Sequence, residues 1–120
     1  MNKSESITKL APALLKFNTE VSKIYKDATN PFYKKNYASL DNIIDNIRPL
    51  LNNNGLSIVQ MPSGDGEFAI MKTILLHESG EFLESESLIM KPVKNDPQAI
   101  GSCITYARRY SLTSFLSLNT

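Results

Sequence analysis

The residues of this chain best suited to chemistry at a polyanion are Gly101, Ser102, Thr105, Arg108 and Arg109. Wound as an α-helix, at roughly 100° per residue, they fall within an arc of about 120°. Gly101, Thr105 and Arg108 come nearly into line, at i, i+4 and i+7. A small residue lets a backbone approach, a hydroxyl donates to phosphate oxygens, and a guanidinium fork binds phosphate or stacks on a base. An ordinary reading stands beside this one: Arg108 and Arg109 pair with Glu84 or Glu86 across a helix–sheet contact. A second cluster is Asn30-Pro31-Phe32-Tyr33-Lys34-Lys35-Asn36-Tyr37. Rings interleaved with lysines suit a single strand, since rings stack on bases and ammonium groups follow phosphates. Here Phe32 and Tyr37 are assigned to anchoring the segment on the core, and Tyr33, Lys34 and Lys35 to the nucleic acid.

Covalent catalysis finds little support. His77 is the one histidine and Cys103 the one cysteine, so no His/Cys metal cluster is possible and no internal disulfide can close. His77 falls at a strand end beside a turn and reads as a surface residue. Cys103 lies on the apolar side of its helix and reads as a small core filler. Neither Gly64-Asp65-Gly66 nor Gly101 makes a phosphate-binding fingerprint. Glu84 and Glu86 could hold a divalent ion with Asp65, although strand carboxylates are most often simply solvated. The expectation is a protein that is not an enzyme and needs no cofactor or metal.

The chain has 120 residues, 42% of them hydrophobic and 21% charged, with a net charge of +1, which fits one soluble domain, 1–120. Charge is unevenly spread: residues 1–60 sum to +3, residues 61–86 to −5 and residues 87–120 to +3. A basic surface forms if the two ends meet in space; otherwise the surface is mixed and solvated. No apolar run is long enough to span a bilayer and no signal-peptide pattern opens the chain.

The elements that must hold these residues are read from periodicity and punctuation. Ile7, Leu10, Leu14, Phe17, Val21 and Ile24 predict a helix over 6–25, with Pro12 near its true start. Residues 28–38 read as irregular after Asn30-Pro31. Ser39 caps a helix over 39–53, which Pro49 should kink or end early, and Gly55 takes a left-handed stop. Strands follow at 56–61, 67–76 and 81–91, joined by connections too short for anything but an antiparallel meander. Asp96 and Pro97 open a last helix over 97–116, whose Ala99, Ile100, Cys103, Ile104, Ala107 and Tyr110 should face the sheet. The predicted fold class is α+β: a three-stranded meander packed against helices, in the order α-α-β-β-β-α.

Three stretches together carry a family resemblance. Asn30-Pro31-Phe32-Tyr33-Lys34-Lys35-Asn36-Tyr37-Ala38-Ser39-Leu40, then Ile47-Arg48-Pro49-Leu50 with Gly55-Leu56, resemble the opening half of the ERF-type single-strand annealing proteins of bacteriophages. Asp96-Pro97-Gln98-Ala99-Ile100-Gly101-Ser102, running into Thr105-Tyr106-Ala107-Arg108-Arg109-Tyr110-Ser111-Leu112, resembles that family's second signature. The resemblance covers about Asn30 to Leu118. It implies a Rad52-like core and an ATP-independent recombinase that coats single-stranded DNA and anneals complements. It further implies a homo-oligomeric ring or filament, a single-strand-binding protein of host or phage as a possible partner, no membrane, and a phage-encoded protein in a bacterial cytoplasm. Arg108, Arg109, Lys34 and Lys35 are the residues it favours for the DNA path, with Thr105, Ser102 and Tyr33 beside them. Such proteins carry a further C-terminal tail, so a chain stopping at Thr120 reads as a core or a short member. The alternative from a different class is an oligomeric interaction or regulatory module without annealing activity.

Overall fold

Each helix starts where a carboxylate or hydroxyl is available to take its first free N–H groups. In the computed structural model, which describes residues 2–120, Ser39 Oγ accepts from Asn42 N and opens α2 (Leu40–Asn53). Asp96 Oδ1 accepts from Ala99 N at 2.8 Å and opens α3 (Pro97–Phe115). α1 (Leu10–Glu20) has no cap of its own. Glu81, distant in sequence, supplies one: its Oε1 accepts from Lys9 N at 2.9 Å and Leu10 N at 2.8 Å. That borrowed cap fixes the start of α1 later than the predicted 6. The helix also stops short of 25, because Val21 turns extended and Ile24 N donates to Asn119 O at 2.8 Å. Ile24 remains fully buried, so the apolar spacing was real but its last repeats belong to a strap. Pro49 lies inside α2, which runs through it to Asn53 rather than ending early.

The strands are β1 (Asn2–Lys3), β2 (Ala28–Asn30), β3 (Lys35–Tyr37), β4 (Leu56–Gly64), β5 (Ala69–His77), β6 (Phe82–Glu84) and β7 (Leu88–Met90). The fold is therefore α+β with antiparallel pairing and three helices, but its sheet has five strands rather than three. Its order is β1-β6-β5-β4, with β7 also on β5; β2 and β3 form a separate hairpin. The predicted order α-α-β-β-β-α is corrected on three counts. β1 and the hairpin were too short to read from periodicity. The stretch 81–91 is two strands: Ile74 pairs with Glu84 but Met71 with Leu88, so one extra residue bulges between them. Ser85 fills the break, its N donating to Thr73 O and its Oγ accepting from Thr73 N.

Ladder phase explains why β4 outruns the predicted 61. Glu78 N donates to Gly55 O across the β4–β5 register, while His77 N and Ser85 N donate to Glu81 O and Thr73 O on the β6 side. Even-numbered residues of β5 thus bond β4, and odd-numbered residues of β4 bond β5. Pro62 is an even position, so its missing N–H falls on the outer edge and costs the ladder nothing. β5 begins at Ala69 rather than 67 because Asp65 closes a turn, accepting from Glu67 N and Phe68 N.

All three helices pack on one face of the sheet. Alternate β5 residues Ala69, Met71, Thr73 and Leu75 are buried there. Leu10, Phe17, Ile24, Ile43, Ile47, Leu51, Leu56, Leu112 and Leu116 complete the core. Gly55, at φ +72°, makes the turn from α2 into β4, and a Cβ there would meet the Glu78 carboxyl at 2.7 Å.

Candidate nucleic-acid interface

The segment 28–38, expected to be irregular, is the β2–β3 hairpin. Asn30 builds its tip: Oδ1 accepts from Phe32 N at 2.9 Å and Tyr33 N at 3.2 Å, and its carbonyl accepts from Lys34 N. Lys34 takes a left-handed φ of 53° to bring the chain back to Lys35, opposite Asn30. The hairpin is moored at its base by Asp27, whose carboxylate accepts from Ser39 N at 2.7 Å and Ser39 Oγ at 2.8 Å. The Ser39 backbone N–H first, then its hydroxyl, hold the Asp27 carboxyl below its ordinary value.

The tip carries its rings outward. Phe32 is 88% exposed and Tyr33 75% exposed, with Lys34 and Lys35 exposed beside them. Phe32 is thus no core anchor: local turn bonds hold the tip, and nothing apolar closes over it. Tyr37 does anchor, but against an arginine. The Arg109 guanidinium stands 4.7 Å from the Tyr37 ring centre, 4.9 Å from Tyr106 and 5.0 Å from Tyr110. Three ring faces around one cation clamp the hairpin to α3. The Tyr106 and Tyr110 rings lie 4.7 Å apart, tilted by 51°, with hydroxyls 3.1 Å apart. The Tyr110 hydroxyl first, then burial, push the Tyr106 phenol up, against an opposing pull from Arg109.

The expected single arc on α3 divides. Arg108 turns to β4: its Nε donates to Gln60 Oε1 at 3.3 Å, while Gln60 Nε2 donates to Arg108 O and to the buried Thr73 Oγ1, both at 3.1 Å. Arg109 turns to the hairpin. The acidic partner Glu84 is held by Lys72 at 2.6 Å instead. Thr105 spends its hydroxyl on Gly101 O, and Ser102 is exposed. Tyr110, assigned to the core from its wheel position, is 44% exposed because it closes on Tyr106 and Arg109. The alternative divalent site does not assemble, since Asp65 is bound into the β4–β5 turn and Glu84 to Lys72. His77 Nδ1 accepts from Ser79 N, and Cys103 is half-buried. The sequence pattern gave Tyr106 no role and placed Phe32 and Tyr110 against the core; the i, i+4 tyrosine pair bracketing Arg109 was the available signal for the clamp.

Beside Arg108, a cleft of about 480 Å³ opens between α2, β4 and α3. Ile44, Ile47, Leu51, Ile58 and Leu112 floor it, and Arg48 is a second guanidinium on its wall. Among the described residues no helix is long and apolar enough to cross a membrane. The family model of the ERF superfamily matches residues 10–120, so the match takes in α1 as well as the stretches from Asn30 onward. No curated protein and no solved structure matches the chain.

Proposed function

Because the chain belongs to the ERF superfamily, a family associated with recombination and strand annealing, we propose that it binds single-stranded DNA and anneals complements without ATP and without covalent chemistry. The observation that carries this reading is the hairpin tip: two large rings 75–88% exposed, flanked by two lysines, on a turn rigidly built and clamped to α3. Rings held open to water suit stacking on unpaired bases, which every base offers regardless of sequence. Lys34 and Lys35 follow the phosphates, and Ser102 and Arg108 extend the polar path along α3, where the Thr105 hydroxyl is turned back on Gly101 O. Arg109 contributes by holding Tyr37, and so the tip, in place. A strand presented with its bases spread needs no nucleophile to pair faster; alignment lowers the entropic cost. In this reading the protein is not an enzyme, works as a homo-oligomeric ring or filament in a bacterial cytoplasm on phage DNA, and meets single-strand-binding proteins there.

The test is annealing of fluorescent complementary oligonucleotides without nucleotide. Wild type should accelerate pairing. Phe32→Ala with Tyr33→Ala should weaken single-strand binding roughly tenfold per lost stack. Lys34→Ala with Lys35→Ala should lower the slope of log affinity against log salt by about 1.4, two single-strand phosphate contacts. Unchanged binding in both double variants would sink the hairpin as the DNA element.

A further inference from the structure

β4 is the longest open edge in the molecule. It bonds β5 on one side, and among the described residues no strand lies on the other. Its nine residues, Leu56-Ser57-Ile58-Val59-Gln60-Met61-Pro62-Ser63-Gly64, contain no charge. Soluble proteins blunt such edges with lysine, bulges or a covering element; a long uncharged one is a template for another strand. Here the even positions present their N–H and C=O groups outward, apart from the N–H that Pro62 lacks. The other edge of the sheet offers only β1 and β7, of two and three residues. The strand of matching length is another β4.

α2, beside this edge, carries a matching charge pattern. Asp41, Asp45, Arg48 and Asn52 are all exposed and, at four-, three- and four-residue spacing, form one stripe. Arg48 and Asn52 line the cleft along β4, so the stripe borders the open edge. Two carboxylates, Asp41 and Asp45, precede one guanidinium, Arg48, and the neutral amide of Asn52. Turned end for end, it complements itself: Arg48 of one copy faces Asp45 of the other.

We propose that two copies of this chain join β4 to β4, antiparallel across a two-fold axis, making one continuous ten-stranded sheet. A register centred on Ile58, with Leu56 opposite Gln60, keeps Pro62 outside the paired segment and forms roughly six backbone hydrogen bonds. This deepens the assembly part of the function proposed above and is independent of its DNA part. A two-fold contact has a further result: any ring or filament built on it holds an even number of subunits.

The experiment is done without DNA, so its failure leaves the annealing reading standing. Ile58→Cys in a Cys103→Ser background places two cysteines about 5.5 Å apart between Cα atoms at the axis, within disulfide reach. Mild oxidation should convert the chain to a covalent dimer, and light scattering of unmodified protein should give even multiples of 13.4 kDa. A head-to-tail contact never brings residue 58 to its own copy, so an oligomer that fails to cross-link overturns the proposal. A monomer at all concentrations overturns it equally. Arg48→Asp should raise the dimer dissociation constant roughly tenfold, and Asp45→Arg added to it should restore it. Circular dichroism of each variant confirms folding, and loss of association in the folded charge swap counts against the register.

Discussion

Arg109 is where a single side chain decides the most. Its guanidinium ties Tyr37 of the hairpin to Tyr106 and Tyr110 of α3. Arg109→Ala should cost about 1–2 kcal/mol, read as a lower denaturant midpoint, with Arg109→Lys recovering part of it through its weaker hold on ring faces. The same variant should raise amide exchange over 28–37 more than elsewhere, since the clamp and not the core is lost. Tyr106 gives an independent check. Its folded phenol titrates above the ordinary value of 10.0, so its contribution is present below that pH and drains as pH rises through the higher folded value. Phenolate absorbance should therefore show a tyrosine ionising above pH 10.0, and Tyr110→Phe should lower that midpoint. From the sequence, Arg109 stood out as a candidate for the DNA path, but the clamp it makes did not show. Three rings converge on it from two elements, and no local spacing reports that β3 lies beside α3.

Between elements, what was legible is what is local. Ser39, Asp96 and Gly55 do their work within four residues, and each was readable from residue type and position. The misreadings fall where a distant partner intervenes. α1 begins at bonds to Glu81, the strap after it is held by Asn119, the bulge at Ser85 depends on Thr73, and the hairpin is held by Asp27 on Ser39 and by Tyr37 on Arg109. The Asp27 mooring should make the hairpin acid-sensitive. Its folded carboxyl titrates below 3.8, so its stabilisation is full above that pH and lost as pH falls through the lower folded value. Protection factors of the hairpin amides, taken relative to intrinsic exchange at each pH, should fall below about pH 4 in wild type, while Asp27→Asn should show the low protection throughout. A hairpin equally protected at pH 2 and pH 6 would contradict this mooring.

The whole molecule is a thin slab, 43 × 33 × 16 Å, with a radius of gyration of 15.3 Å against about 14 Å expected of a compact chain this long. Helices cover one face of the sheet; the other leaves Val59, Met61, Leu76 and Ile89 between 38% and 59% exposed. Val59→Thr with Met61→Gln should change stability by less than about 1 kcal/mol, yet reduce binding of an apolar fluorescent dye, because no helix covers these side chains. A melting curve beside a dye titration checks both halves. The borrowed cap of α1 bears on how the molecule comes into being. Glu81 must be in place before Lys9 and Leu10 find an acceptor, and the strap behind the helix waits for Asn119. During synthesis the first helix therefore has no fixed start until the β5–β6 turn has left the ribosome, and the strap after it has no anchor until Asn119 has followed. Refolding should accordingly order α2, β4 and β5 first, and the N-terminal third last.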